Sequence, residues 1–400
     1  MKMKSALGVA FLTLAPSFVW AAILSPGLYR DTAGHSVYVG IENSAPDPAI
    51  NQYFDPATQH TGDLPADSSL KPLKLIHEDA AIIAAPGGPL GVSLYWTGDG
   101  KRATIVMIHG NDPETRDMGF LIPYFVLNGV NVISYDQRGT GKSSGNWQEN
   151  GPPQRAADVE AVYDAFSSNA RVDATDLGIW GFSNGGWTAP IVAAQRPLRF
   201  MILKSAPPES IEENVYYTLA QQLRHMNYDA QDIAAATGTW GALLGALAGK
   251  VSWDTARSLY ETASTKIWFK DSYLPYVYPP NLGFPPPAAA AAGMQRELFF
   301  DPTETLEKVR TPTLALFGAL DRNVDVAHAP ARFRADFSRG GMRDFTIRTY
   351  RDAGHTLKVS ATGFNGEPSP PERLTAGYPQ VMIQWLHQRS FLTTPRHHPD

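Results

Sequence analysis

The chain reads as an α/β protein with a mostly parallel sheet covered by helices on both faces and an inserted cap. Three observations predict this. Short continuous apolar runs recur at 103–108, 130–135, 177–181, 200–203, 313–317 and 345–350. A strand buried on both faces shows no polar side, so unbroken rather than alternating apolar runs point to parallel strands under helices. Helical periodicity fills the gaps, as at 156–166 and 379–387. Finally, the runs at 200–203 and 313–317 are separated by far more chain than one strand–helix connection needs.

Taken in order, the first residues read as an export signal. Lys2 and Lys4 precede a mostly apolar stretch, 6–19, interrupted by Pro16, and Val19 and Ala21 supply the small residues a signal peptidase reads. Cleavage after Ala21 is expected, leaving an exported chain, periplasmic or secreted, with no membrane span: the run is short for a bilayer. Residues 22–101 read as a turn-rich β extension packed on the sheet. Strand-like runs at 35–41 and 91–97 suit an antiparallel edge, punctuated by Pro46, Asp47 and Pro48. The core is expected over 102–206 and 301–392. The cap between them, 207–300, reads as helical and then Pro-rich, with Pro279-Pro280, Pro285-Pro286-Pro287 and an alanine run at 288–292. Residues 393–400 read as a frayed tail in which His397 and His398 are not metal ligands.

Composition narrows the function. Hydrophobic residues make up 43% and charged residues 18%, an ordinary globular balance with ample core. A net charge of -5 offers no basic footprint for nucleic acid. With no cysteine, disulfides, thiolate metal sites and a cysteine nucleophile are excluded.

The chemistry is concentrated in Gly181-Phe182-Ser183-Asn184-Gly185, a G-x-S-x-G pattern between an apolar strand and a run of small and apolar residues at helical spacing. That context makes Ser183 a candidate nucleophile on a tight strand–helix turn. Gly141-Lys142-Ser143-Ser144-Gly145 matches the same pattern, but Asn146 to Pro153 after it cannot open a helix, so Ser143 and Ser144 read as loop residues. Lys142-Ser143 does not make a phosphate loop either, because Asp136 stands where that motif needs glycine.

A serine nucleophile needs a base, an acid that orients it, and donors for the oxyanion. His355, in Asp352-Ala-Gly-His355, follows the 345–350 strand and precedes the last helix, where a base reaches Ser183 across strand ends. His225 and His387 read as surface residues and His109 as a loop organiser. For the acid, Asp321 and Asp325 both follow the 313–317 strand, at the sheet edge where ligands gather. Asp321 is favoured, and Asp325 reads as a helix cap. The oxyanion donors are assigned to the main-chain amides of Asn111, after His109-Gly110, and Asn184.

In these motifs the chain resembles the α/β-hydrolase superfamily, in its capped branch. GFSNG, HGND, GALD and AGH match in order and spacing over roughly residues 100–390. Tyr135 to Ser143, YDQRGTGKS, is similar to the matching segment of proline-iminopeptidase-like and serine-aminopeptidase-like hydrolases. The resemblance implies an α/β-hydrolase fold and water-consuming acyl transfer with no cofactor or metal. It makes Asp136 and Arg138 structural, tying loops beneath the site. A carboxylic ester is the expected substrate. A short peptide is the alternative, its free amine held by Glu209, Glu212 or Glu213, and a non-catalytic binding protein is a further one. Tyr216, Tyr217, Trp240, Trp253, Trp268, Phe269, Tyr273, Tyr276 and Tyr278 are expected mostly to pack the cap. A few would line the pocket, so that the cap sets substrate choice without entering the bond-breaking step.

Overall fold

The computed structural model describes residues 23–44, 49–65, 68–111, 113–364 and 372–392. The expected signal, the Pro46–Pro48 stretch and the tail lie outside them. The main sheet has eight strands. From one edge these are Phe345–Tyr350, Thr313–Gly318, Phe200–Lys204, Val172–Phe182, Arg102–Ile108, Asn131–Tyr135, Leu90–Trp96 and His77–Ile83. The first six run parallel, Leu90–Trp96 runs against them, and His77–Ile83 runs against Leu90–Trp96. This is the α/β-hydrolase arrangement, with all six apolar runs in the parallel block.

Helices close both faces. Helices Pro152–Phe166, Gly185–Gln195 and Ala329–Arg339 bury Val159, Val162, Val192, Phe333 and Phe337 against one face. Helices Leu121–Leu127 and Gln380–Gln388 bury Phe125, Met382 and Leu386 against the other. Pro152 and Pro153 open the first of these helices, where a missing N–H is harmless.

The N-terminal stretch departs from expectation. Only His77–Ile83 and Leu90–Trp96 edge the main sheet. Residues 27–75 contribute a second, antiparallel sheet in the order Thr61–Asp63, Ile50–Phe54, Ser36–Ser44, Gly27–Arg30, Lys71–Leu75. Its sixth strand, Glu114–Gly119, comes from the core and pairs with Ser36–Ser44. A small apolar cluster of Tyr29, Val37 and Val39 suffices for it, because Tyr38 packs edge-on against Tyr124 and Phe54 packs tilted against Phe120 of the core. Between Phe200–Lys204 and Thr313–Gly318 the chain forms no strand; its longer helices are Ile211–His225, Ala230–Leu247, Trp253–Ser264 and Ala288–Leu298, with a largely irregular stretch over 265–287. The alanine run thus opens a helix after Pro287. Trp240, Trp268 and Tyr278 form this insertion's own core together with Trp187 from the helix after Ser183. No helix among the described residues is long and apolar enough to cross a membrane.

Candidate active site

Parallel strands deliver their C-terminal ends to one edge, and the expected site residues gather there. Phe182 ends its strand and the next helix starts at Gly185, so Ser183 turns the chain with φ 51°. A left-handed serine costs roughly 1–2 kcal/mol, which the surrounding packing must hold. Two glycines make the turn fit. A Cβ on Gly181 would stand 2.5 Å from Gly185 O, and one on Gly185 would stand 2.7 Å from both His109 O and Ile108 O.

His355 Nε2 lies 2.9 Å from Ser183 Oγ, and its Nδ1 lies 2.8 Å from Asp321 Oδ2. Asp321 is fully buried, and its Oδ1 accepts from the N–H groups of Asn323 (2.8 Å) and Val324 (3.1 Å). An ionised carboxylate only accepts, so the proton it shares with His355 sits on Nδ1 and leaves Nε2 to accept from the serine hydroxyl. Ser205 Oγ donates to His355 O at 2.6 Å and fixes the histidine's main chain.

The competing residues are elsewhere engaged. Asp325 Oδ2 lies 2.8 Å from His328 Nδ1, and its carbonyl accepts from Ala329 N at 2.7 Å at the start of a helix. Ser143 Oγ donates to Asp136 O at 2.6 Å and accepts from Gly91 N at 3.0 Å, holding a loop. His225 stacks on Phe364, and His387 is exposed on the last helix. His109 is buried, with Nε2 2.8 Å from Tyr135 O and Nδ1 3.1 Å from Glu114 Oε2. Burial works to lower its pKa, but the Glu114 hydrogen bond and charge outweigh it and hold it above the ordinary value. Asp136 accepts from the N–H groups of Arg116 and Lys142, and Arg138 grips Asp158.

Asn111 and Asn184 meet side chain to side chain, Asn184 Nδ2 donating to Asn111 Oδ1 at 3.0 Å. Their main-chain N–H groups make no hydrogen bond among the described residues. Around them stand three further residues, of which sequence reasoning missed Arg155 and Glu297 and named Tyr276 only among the cap aromatics. Asn184 Nδ2 also donates to Glu297 Oε1 at 3.0 Å, Arg155 donates to Asn184 Oδ1, and Tyr276 OH donates to Asn111 O at 3.2 Å. Glu297 and Tyr276 belong to the insertion, some hundred residues from the elbow, and no local pattern marks them.

Lys204 was likewise illegible. It ends the 200–204 strand, its carbonyl accepts from Ser183 N at 3.0 Å, and its Nζ sits 4.3 Å from the ring centre of Phe182. Burial lowers its pKa to about 8, and Lys358 adds to this against Glu114, Glu42 and Asp321. Of the three carboxylates considered for an amine, Glu213 is held by the Ser210 capping box and by Arg332 at 2.9 Å. Glu209 is buried, bonded to Asn214 Nδ2 at 3.0 Å, and raised above the usual carboxylate range, chiefly by burial. Glu212 lies in the first turn of the same helix.

Sheet, elbow and relay together are those of a serine hydrolase of the α/β-hydrolase fold. The chain is similar to several known proteins. Residues 118–234, which include the elbow, match the prolyl oligopeptidase family. The fold is similar to an acylaminoacyl peptidase from Pyrococcus horikoshii, at 12% identity and TM-score 0.50, covering 94% of this chain and 52% of that one. An esterase from Pyrococcus furiosus is similar at 12% identity and TM-score 0.46, over 80% of this chain and 92% of that one. A puromycin-hydrolysing peptidase from Mycobacterium tuberculosis is similar at 18% identity and TM-score 0.48, over 80% and 42%.

Proposed function

We propose that this serine hydrolase cleaves carboxylic esters, with Ser183 as nucleophile, His355 as general base and then acid, and Asp321 as the group that orients it. The continuous relay from Ser183 Oγ through His355 to buried Asp321 carries the assignment of these three roles. Ser183 Oγ attacks the acyl carbon as His355 Nε2 takes its proton. The oxyanion is met by the amides of Asn111 and Asn184, each worth about 3–4 kcal/mol in the transition state. His355 returns the proton to the departing alcohol, leaving an acyl-serine. Water, deprotonated by the same nitrogen, then releases the acid.

Two of the three cap carboxylates considered for a free amine are engaged, which favours an ester over a free-amine peptide. Glu213 is already paired, and a raised pKa leaves Glu209 a poorer partner for an ammonium. The match to the prolyl oligopeptidase family over 118–234 favours the second reading, a peptidase acting on short peptides. Purified protein assayed on p-nitrophenyl esters of graded length beside amino-acid p-nitroanilides separates the two. Ester turnover well above anilide turnover is expected, and the reverse overturns the ester reading. Export after cleavage near Ala21 is part of the proposal and rests on the first residues of the sequence. N-terminal sequencing of protein recovered outside the cytoplasm checks it, and an intact Met1 there counts against it.

A further inference from the structure

The two residues assigned to the oxyanion hole are held in part from the inserted cap. Asn184's side-chain amide has no freedom left: Nδ2 donates to Asn111 Oδ1 and Glu297 Oε1, both at 3.0 Å, and Oδ1 accepts from Arg155. Arg155 in turn pairs with Glu297 at 3.0 Å. Asn111 is fixed at its far end, where Tyr276 OH donates to its carbonyl at 3.2 Å and stands 3.4 Å from its Nδ2. The chain of bonds runs unbroken from Arg155 on the core through the elbow and the oxyanion loop into the inserted helices.

The helix bearing Glu297 is also anchored closely. A Cβ on Gly151 would stand 2.8 Å from Arg296 O, and one on Gly293 would stand 3.0 Å from Gln148 O, so the backbones touch with no room for side chains. Arg296 donates to Glu149 O at 2.7 Å, and Gln295 Nε2 donates to Leu247 O at 2.6 Å. Glu297 therefore reaches the elbow from a fixed platform.

We propose that Glu297 and Tyr276 are positioning residues of the oxyanion hole, so that the inserted cap takes part in the bond-breaking step as well as in substrate choice. This departs from the expectation of a purely selective lid, and it rests on the assignment of Ser183, Asn111 and Asn184 above. An oxyanion hole works because its donors already point at the developing charge before it forms. Without Glu297, one donor of Asn184 and the Arg155 guanidinium lose their shared acceptor. Asn184's carbonyl still accepts from Trp187 N at 3.0 Å, so the elbow keeps its turn; what loosens is the side-chain link between Asn184 and Asn111, and with it the spacing of the two donors. Without the Tyr276 hydroxyl, Asn111 loses its outer tether in the same way.

The test uses the full protein and p-nitrophenyl acetate, an ester too small to need the pocket's walls, with a small trifluoromethyl ketone as the second probe. The ketone adds Ser183 Oγ to its carbonyl and places an oxyanion in the hole, so its affinity reports the hole directly. Glu297→Ala should lower kcat by roughly 10- to 100-fold, short of the loss of a whole donor, with KM within about threefold. Its inhibition constant for the ketone should weaken by the same factor as kcat/KM. Glu297→Gln keeps the acceptor for Asn184 and should recover most of the activity, while Tyr276→Phe should lose several-fold. An Ala variant that melts like wild type and keeps kcat, or one whose kcat falls with ketone affinity unchanged, overturns the proposal. Ser183→Ala in the same assays keeps the two levels apart. If it retains wild-type turnover, the underlying site assignment fails; if it is inactive while Glu297→Ala is unaffected, only the positioning role fails.

Discussion

At Ser183 the chain accepts a left-handed backbone, and His355 and Asp321 hold the serine's hydroxyl through two hydrogen bonds of 2.9 and 2.8 Å. Asp321→Asn should fold normally and lower kcat by about 10⁴-fold, because an amide in place of the carboxylate favours the wrong imidazole tautomer. Asp325→Asn, which disturbs only the exposed His328 pair, should stay near wild type. Steady-state kinetics on both, with melting curves, decide; a crippled Asp325 variant beside a healthy Asp321 variant reverses the assignment. Lys204 gives a second test. Its pKa of about 8 lies below the 10.4 of a free lysine, so between those values the unfolded chain binds a proton that the folded protein does not. Its cost to stability is therefore full below about pH 8 and fades as pH rises toward 10. Lys204→Met should be more stable at pH 7, by roughly 3 kcal/mol at most, with the advantage shrinking by pH 10. A pH-independent difference in denaturant titrations contradicts this. Ser183, His355 and Asp321 were legible because each falls in a glycine-containing motif after a strand, with Gly181 and Gly185, Gly354, and Gly318 respectively. Lys204 and Ser205 only end a strand, and what they touch is set by packing between distant segments.

At the scale of elements, the elbow depends on how closely helix Gly185–Gln195 approaches the oxyanion loop. Gly185→Ala would set a methyl group 2.7 Å from two carbonyl oxygens of that loop, neither of which is a flexible side-chain end. It should cost about 1–3 kcal/mol and most of the activity, read by thermal melting and turnover; a variant with wild-type turnover means the loop can retreat. The cap has a core of its own. Trp240→Ala, at a fully buried position, should destabilise by about 3–5 kcal/mol, measured by denaturant titration. Loss of less than 1 kcal/mol would mean that the cap's packing is not what holds it. The cap's existence was readable from the long separation between the apolar runs at 200–203 and 313–317. The second sheet was not. Its sixth strand, Glu114–Gly119, reads ETRDMG, with neither alternation nor β-branched enrichment beyond Thr115. That segment is a strand because the edge of Ser36–Ser44 supplies its hydrogen bonds.

Over the whole molecule, the order of serine, acid and histidine follows from the sheet. Strands Val172–Phe182, Thr313–Gly318 and Phe345–Tyr350 run parallel, so each releases its chain at one edge, and the residues that follow converge although 172 positions separate Ser183 from His355. That convergence was legible because parallel topology dictates it. Contacts between the cap and the core depend on where helix Ala288–Leu298 settles, and sequence spacing carries no record of that. Ser183 is proposed to be the sole carrier of the acyl group. Labelling the full protein with a fluorophosphonate probe, followed by peptide mapping, tests it most directly. The tag should fall on the peptide containing Ser183, and Ser183→Ala should take up none; a tag on the peptide containing Ser143, or undiminished labelling of the Ala variant, would contradict it.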